Sequence, residues 1–341
     1  MKAMILAGGM STRLYPLTRT VPKPLVPVVG EPISAHILRW LKSFGYDEIA
    51  INVHYLAETI QERFGDGSQF GVKLHYLYEP KLMGSAGALK ALEDYFTEPF
   101  VVVGCDCLTD ANLEALVSFS RKQNALATIG LVESDEVDQY GVVITNADGR
   151  ITEFQEKPPK GTERSNLVNT GIYAFSPEIF AHIPAAEFCD FGKQVFPALQ
   201  AADAAFYGYR LSGAYWADIG TPDEYVRATA DALAGRVHLR GTRTRGLATN
   251  ANLGDDVHIE GDVRVGDGAK LGARVRIVGP SVIGDGVTVG DDARLERAIV
   301  WDNAVVGERA QVTDSVIGID YHVAPDATLR DTIVANEPVA R

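Results

Sequence analysis

Cysteine is scarce: Cys105, Cys107 and Cys189 are the only three in the chain, and three thiols cannot all pair. A disulfide framework is therefore excluded, and reduced thiols in a reducing compartment are expected. Basic residues are also in short supply, with 32 Lys and Arg against 45 Asp and Glu and a formal charge of −13. Nucleic acid and anionic membrane both need a basic surface, so neither is expected as a main partner. Long apolar runs are missing too. No stretch is long enough to span a bilayer, and residues 1–30 hold no apolar run ending in a small-residue cleavage site, so a soluble, cytoplasmic protein is expected. What is plentiful is apolar content, 46% of 341 residues, enough for a large core and for two domains.

Against this acidic background the start of the chain is a local exception. Lys2 to Leu6 reads as a short apolar strand. It runs into Ala7-Gly8-Gly9-Met10-Ser11-Thr12-Arg13-Leu14 and then Pro22-Lys23-Pro24-Leu25. Glycines let backbone N–H groups approach an anion without interference from Cβ. Arg13 and Lys23 add fixed positive charge, and Pro16, Pro22, Pro24 and Pro27 remove helix as an option and stiffen the loop. The segment reads as a phosphate cradle of the kind a nucleoside triphosphate fits.

From Lys2 to about Gly235 strand-like runs, near Glu48–Val53, Lys73–Tyr78, Phe100–Cys105 and Leu126–Val132, alternate with helix-like ones. That grammar predicts an open α/β sheet. Ile33, Ile37, Leu41 and Phe44 fall on one helical face that stops at Gly45. Ligands bind beyond the carboxyl ends of strands in such sheets, so the loops after Leu6 and Cys105 are expected at one crevice.

Beyond 235 the pattern changes. Leu253, Ile259, Val265, Leu271, Ile277, Ile283, Val289 and Leu295 recur at a hexapeptide period, often followed by glycine. After a shortened step Val300, Val306 and Val312 resume it, and a second slip leads to Ile317, Val323 and Leu329. The period predicts a parallel β-helix of about five coils of roughly eighteen residues. The boundaries expected are 1–235 for the α/β domain, 236–252 for a joint and 253–341 for the β-helix.

In order along the chain, the opening loop, Glu79-Pro80-Lys81-Leu82-Met83-Gly84-Ser85-Ala86-Gly87, Gly104-Cys105-Asp106, Tyr140-Gly141-Val142-Val143, Glu156-Lys157-Pro158 with Asn169-Thr170-Gly171-Ile172-Tyr173, and Trp216-Ala217-Asp218-Ile219-Gly220-Thr221-Pro222 resemble the sugar-1-phosphate nucleotidyltransferases. The resemblance covers nearly the whole chain. It is nearest to the mannose-1-phosphate guanylyltransferases and related two-domain enzymes. It implies a Rossmann-like open mixed sheet followed by a left-handed β-helix, and the joining of a nucleoside triphosphate to a sugar 1-phosphate with release of pyrophosphate.

The resemblance also assigns roles. It gives Mg²⁺ to Asp106 and Asp218, and two carboxylates suit an ion that takes its other ligands from phosphate and water. Lys157 is placed at the phosphate of the sugar phosphate, and Glu156, Asn169 and the backbone at Gly141 at the sugar. Arg13 and Lys23 are placed at the leaving phosphates, and Leu6, Ala7, Gly8, Gly9, Ser11, Thr12, Glu79, Gly84 and Ser85 at the nucleotide. Lys193 reads as a surface lysine. The Gly84-Ser85-Ala86-Gly87 block leans the base towards a purine, hence GTP, with uridylyl and thymidylyl transfer to glucose 1-phosphate as alternatives. A homo-oligomer built through the β-helix is expected.

Two departures from the family pattern stand out. Ser11 replaces a glycine, so either this position does not need positive φ or the grip on the β- and γ-phosphates weakens. Cys105 and Cys107 bracket Asp106, and with only Cys189 left as a soft ligand they read as packed thiols rather than a zinc site. Two further readings stay open: a non-catalytic regulatory homologue that binds sugar nucleotide, and acyl transfer by the β-helix through His258 or His322.

Overall fold

The structure, a computed structural model, describes residues 1–338 and divides into two compact units: Met1–Gly9 with Ile37–Trp216, and Met10–His36 with the chain from Ala217 onward. Positions 339–341, the end of the segment expected as 253–341, lie outside the described residues. The division by contacts does not follow the boundary at 235. The loop that carries Arg13 and Lys23 clusters with the C-terminal part of the chain.

The first unit is built on a nine-stranded sheet in which Lys2–Leu6 is an interior strand. Ala3, Met4 and Ile5 are fully buried, as a strand covered on both faces requires. Glu48–Val53 and Phe100–Gly104 lie parallel on its two sides, and Lys73–Tyr78 follows parallel to Glu48–Val53. Leu167–Phe175 runs antiparallel to Phe100–Gly104, which makes the sheet mixed, and Gly141–Thr145 and Ile151–Glu156 extend it as an antiparallel pair. Ala127–Glu133 pairs antiparallel with Leu167–Phe175 and parallel with Phe206–Arg210. The parallel strands therefore deliver Ala7, Asp106 and Glu79 at their carboxyl ends. The antiparallel strand brings its own start, at Asn169–Gly171, to the same end, because Ile172 is in register with Val103. Phe96, Phe100, Phe175, Phe191, Phe196 and Phe206 fill the core beside the sheet, each contributing about 2 kcal/mol by burial.

The helix expected over Ile33–Phe44 spans Ile33–Ser43 and buries Ile33, Ile37, Leu38 and Leu41. It ends at Gly45, whose φ of +81° continues the chain in a left-handed turn. Among the described residues no helix is long and apolar enough to cross a membrane.

In the second unit the hexapeptide period becomes three parallel sheets of six, five and five short strands, consistent with the left-handed β-helix. Val265 pairs with Ile283 one coil on, and Ile283 pairs with Val300, so the shortened step after Leu295 removes one residue from a coil without breaking the ladder. Val265, Ile277, Ile283, Val300, Val306, Val312 and Ile317 are fully buried inside the coils. The ladder begins at Gly246–Leu247, which pairs with Arg264 and Val265, so the first rung lies inside the stretch expected as a joint. One corner of the coils holds left-handed backbone without glycine, at Asp256, Arg274, Asp292, Arg309 and Asp326 with φ between 56° and 60°. Arg274 grips Asp292 through two bonds of 2.8 and 2.7 Å, and Arg309 grips Asp326 in the same way at 2.6 and 2.9 Å. These bonds hold the Asp292 and Asp326 carboxyls below the usual carboxylate range. His258 and His322 lie exposed on coil strands, and His258 Nδ1 is 2.9 Å from the carbonyl of Asp256 in its own turn.

Candidate active site

In the second unit the loop after Gly9 is a chain of tight turns. Leu14 N donates to Ser11 O at 3.1 Å, Tyr15 N to Thr12 O at 3.2 Å, and Thr18 Oγ1 to Ser11 O at 2.8 Å. These bonds set Thr12–Leu14 as a single 3₁₀ turn and leave Thr12 and Arg13 exposed at its start. A second such turn, Lys23–Leu25, is set by Pro22 and Pro24 and buries Lys23 to 6% exposure. A buried lysine needs a counter-charge. Its Nζ lies 3.6 Å from Asp218 Oδ1, and Arg13 Nη2 lies 3.9 Å from Asp218 Oδ2. The structure thus gathers Arg13, Lys23 and Asp218, residues far apart in sequence, into one cluster of two cations and a carboxylate. Asp106 belongs to the first unit.

Ser11 has φ +51° and ψ +44°, so this position does need a left-handed backbone. The first of the two alternatives for the missing glycine is thereby overturned. An L-residue with a Cβ pays about 1–2 kcal/mol for that conformation, while glycine would lose about 0.5–1 kcal/mol through its freer unfolded chain. The balance favours Ser11→Gly by about 0.5–1 kcal/mol. A raised thermal midpoint in calorimetry is the expected result, and an unchanged or lower midpoint would show that the serine hydroxyl offsets the strain.

In the first unit the glycine turn is braced from behind. Ala7 N donates to Asn52 Oδ1 at 2.9 Å, Asn52 Nδ2 donates to Glu79 Oε2 at 2.6 Å, and Met83 N donates to Glu79 Oε1 at 3.1 Å. A Cβ on Gly8 would stand 2.7 Å from Asn52 Nδ2 and 2.8 Å from Glu79 Oε2, so only glycine fits between the strand end and this brace. Both Glu79 oxygens are engaged, and the residue shapes the turn that follows Leu6. Sequence reasoning passed over Asn52. Its signal was an amide at the carboxyl end of the otherwise apolar strand Glu48–Val53. Ser85 is also committed internally: its Oγ donates to Asp190 Oδ2 at 2.9 Å and accepts from Phe191 N at 3.0 Å. Gly84 opens the helix Gly84–Lys90, which docks through Ala86 N and Gly87 N on Cys189 O, both at 3.0 Å.

On the same unit Glu156 sits directly opposite Gly141 on the neighbouring strand. Burial pushes its carboxyl above the usual range and the charge of Asp190 adds to this, while Lys157 and Lys193 pull the other way. Lys157 follows with φ +44°, its N–H bonded to Tyr140 O at 3.2 Å and its side chain exposed. Asn169 donates to Tyr173 Oη at 3.0 Å and accepts from Gly171 N at 2.9 Å, which fixes its side chain at the sheet end. Lys193 is exposed.

Two observations bear on a divalent cation. A Cβ on Gly104 would come within 2.6 Å of Asp106 Oδ1, and one on Gly220 within 2.6 Å of Arg13 Nη2 and 2.9 and 3.0 Å of the two Asp218 oxygens, so only glycine lets each carboxylate lie against its own turn. Both donors are hard oxygens, which fits Mg²⁺. Cys105, Cys107 and Cys189 are buried and form no disulfide, and among the described residues no group of three or more His, Cys, Asp or Glu side chains is placed to hold a metal by itself.

Comparison with known proteins adds to this geometry. The family model described as nucleotidyl transferase matches residues 2–235, and the model described as GMPPB C-terminal domain matches 254–340. The chain is 37% identical to a protein of Drosophila pseudoobscura named mannose-1-phosphate guanylyltransferase catalytic subunit beta, over 91% of this chain and 84% of the relative. It is 36% identical to a Synechocystis protein named UTP–glucose-1-phosphate uridylyltransferase, over 93% of this chain and 87% of the relative. A crystal structure described as a putative glucose-1-phosphate thymidylyltransferase from Bacillus anthracis superposes with a TM-score of 0.63 at 27% identity, covering 72% of this chain and 98% of that one. A matching family model over well more than half of the length, joined to relatives of this identity and coverage, shows that the chain belongs to the nucleotidyl transferase family.

Proposed function

We propose that this chain transfers a nucleotidyl group from a nucleoside triphosphate to a sugar 1-phosphate, with GTP and mannose 1-phosphate as the preferred pair. The observation that carries the chemistry is the buried Lys23, held with Arg13 around Asp218 at the end of a glycine loop. The match of the coils to the GMPPB C-terminal domain and the name of the Drosophila relative support the substrate pair. The Synechocystis relative supports a second reading, UTP with glucose 1-phosphate.

A phosphate oxygen of the sugar 1-phosphate attacks the α-phosphorus in line. The new P–O bond forms as the bond to the bridging β-oxygen breaks, and that electron pair leaves with pyrophosphate. The nucleophile is already an anion, so no protein base is needed. The work of the protein is to gather polyanions and to meet the charge that builds on the leaving group. Arg13 and Lys23 hold the pyrophosphate, together with the backbone of Leu6 to Gly9 and of Ser11 and Thr12. Lys157 orients the attacking phosphate, and Glu156, Asn169 and the Gly141 backbone take the sugar hydroxyls. Glu79, Gly84 and Ser85 shape the wall for the base. Asp106 and Asp218 are the carboxylates we assign to Mg²⁺, which when bound withdraws charge from phosphate oxygens. Assembly of copies through the β-helix belongs to the same reading, as its first coil leaves Leu247 and Leu253 exposed.

A grid of nucleoside triphosphates against sugar 1-phosphates with Mg²⁺, read as pyrophosphate release, is the test. The highest kcat/KM is expected for GTP with mannose 1-phosphate. A clear preference for UTP or dTTP with glucose 1-phosphate would transfer the protein to the second reading, and absence of release with every pair would make it a non-catalytic homologue.

A further inference from the structure

Among the contacts that tie the loop with the two cations to the C-terminal part of the chain, Arg19 with Glu337 included, one runs through a buried hydroxyl. Trp301, on a coil, donates its Nε1 proton to Tyr225 Oη at 2.8 Å, and Tyr225 Oη donates its own proton to Pro27 O at 2.8 Å. A phenol has a single proton, so accepting from the indole commits that proton to Pro27. Both rings are buried, edge to face with centroids 6.2 Å apart. Pro27 follows Val26, whose N–H closes the Lys23 turn onto Lys23 O at 3.0 Å, so the clamp acts just beyond the residues that bury the ammonium. A second contact holds the next turn. The guanidinium of Arg264, on the coils and 6% exposed, lies so close to Gly30 that any Cβ there would overlap it. Gly30 has φ +77° at the tip of the hairpin formed by Pro27–Val28 and Glu31–Pro32. Tyr225 is itself held by the helix Pro222–Leu233, which starts in a capping box of Thr221 and Glu224 shortly after Asp218.

We infer that Trp301 and Tyr225 are positioning residues for nucleotidyl transfer, and that the β-helix is the rigid backing against which Lys23 and Arg13 grip the pyrophosphate. The inference rests on the reading of those two cations as phosphate ligands. On it, the coils do more than assemble copies. They are half of the frame of the pyrophosphate site, and their loosening is felt by the triphosphate rather than by the sugar.

The test compares Tyr225→Phe, which removes both hydrogen bonds, with Trp301→Phe, which keeps an aromatic ring but removes the N–H donor and part of the indole volume. Tyr225→Phe is expected to lower kcat about tenfold and to weaken pyrophosphate in the reverse reaction by about the same factor, in line with the loss of a buried hydrogen bond. Trp301→Phe is expected to act in the same direction at about threefold, because the phenol can still donate to Pro27. The KM for the sugar 1-phosphate should stay unchanged in both. In a Lys23→Ala background Tyr225→Phe should add much less than it does alone, since one of the two cations it positions is gone.

Equal losses towards both substrates, or an effect of Tyr225→Phe that multiplies fully with that of Lys23→Ala, would overturn the inference in favour of general packing. Wild-type kinetics in both ring variants would overturn it outright while leaving the phosphate role of Lys23 intact. If Tyr225→Phe unfolds at assay temperature, Trp301→Phe carries the same comparison. Wild-type turnover of Lys23→Ala alone would bring down the phosphate reading itself, a separate result that the ring variants cannot produce.

Discussion

Replacement of Lys23 by alanine is expected to lower kcat by about 10²–10³, the usual cost of losing one preorganised donor aimed at developing charge. Pyrophosphate carries more charge as it departs than the triphosphate carried at the same oxygens, so an ammonium placed there acts more strongly in the transition state than in the bound ground state. Lys23 is suited to this because it is already desolvated, with a side chain 7% exposed, and already held, 3.6 Å from Asp218. Burial and pairing have been met on folding, and little reorganisation is left for the moment of reaction. Arg13, half exposed and 3.9 Å from the same carboxylate, cannot replace it, though it keeps Asp218 from being left without a counter-charge in the variant. Lys23→Met, which conserves volume, should show the same loss and separates charge from packing. Single-turnover pyrophosphate release within a few-fold of wild type in either variant would refute the assignment.

The second large effect is expected at Lys157. Lys157→Ala should lower kcat/KM for the sugar 1-phosphate by about 10²-fold, the scale of one charge-assisted hydrogen bond to a phosphate, with the KM for the nucleoside triphosphate nearly unchanged. In the free protein this lysine is exposed, and its charge is worth little there. On the proposed role its value arises when a bound phosphate displaces water from around the ammonium. The fold is expected to survive, because alanine in this exposed loop vacates no core, and the strained φ of +44° stays as it was. The measurement is a pair of saturation curves, one for each substrate. Equal shifts in both, or none in the curve for the sugar 1-phosphate, would remove Lys157 from its proposed place.

The parts of the fold that repeat were legible in the sequence. The apolar strand Lys2–Leu6, the helix from Ile33 and the hexapeptide period each follow from the spacing of side chains over a few residues, and the structure forms them within a residue or two. The slip after Leu295 was visible as well, because a parallel ladder loses one residue there and keeps its inward column. What could not be read was which segments gather together. The placement of Met10–His36 with the chain beyond Ala217 depends on Tyr225 reaching Pro27 and Arg264 reaching Gly30, contacts between residues with no periodicity in common. The same limit hid Asn52, whose importance comes from meeting Ala7 and Glu79 across three strand ends. Ser11 was visible as an oddity, but its sense required the backbone: a φ of +51° turns a change of residue type into a conformational cost.

The corner column of the β-helix runs Asp256, Arg274, Asp292, Arg309, Asp326, and it begins and ends on aspartate. Every internal step can set arginine beside aspartate. Arg274 with Asp292 and Arg309 with Asp326 thus tie neighbouring coils at this corner by charge as well as by the backbone ladder, so a coil cannot unwind there without giving up both.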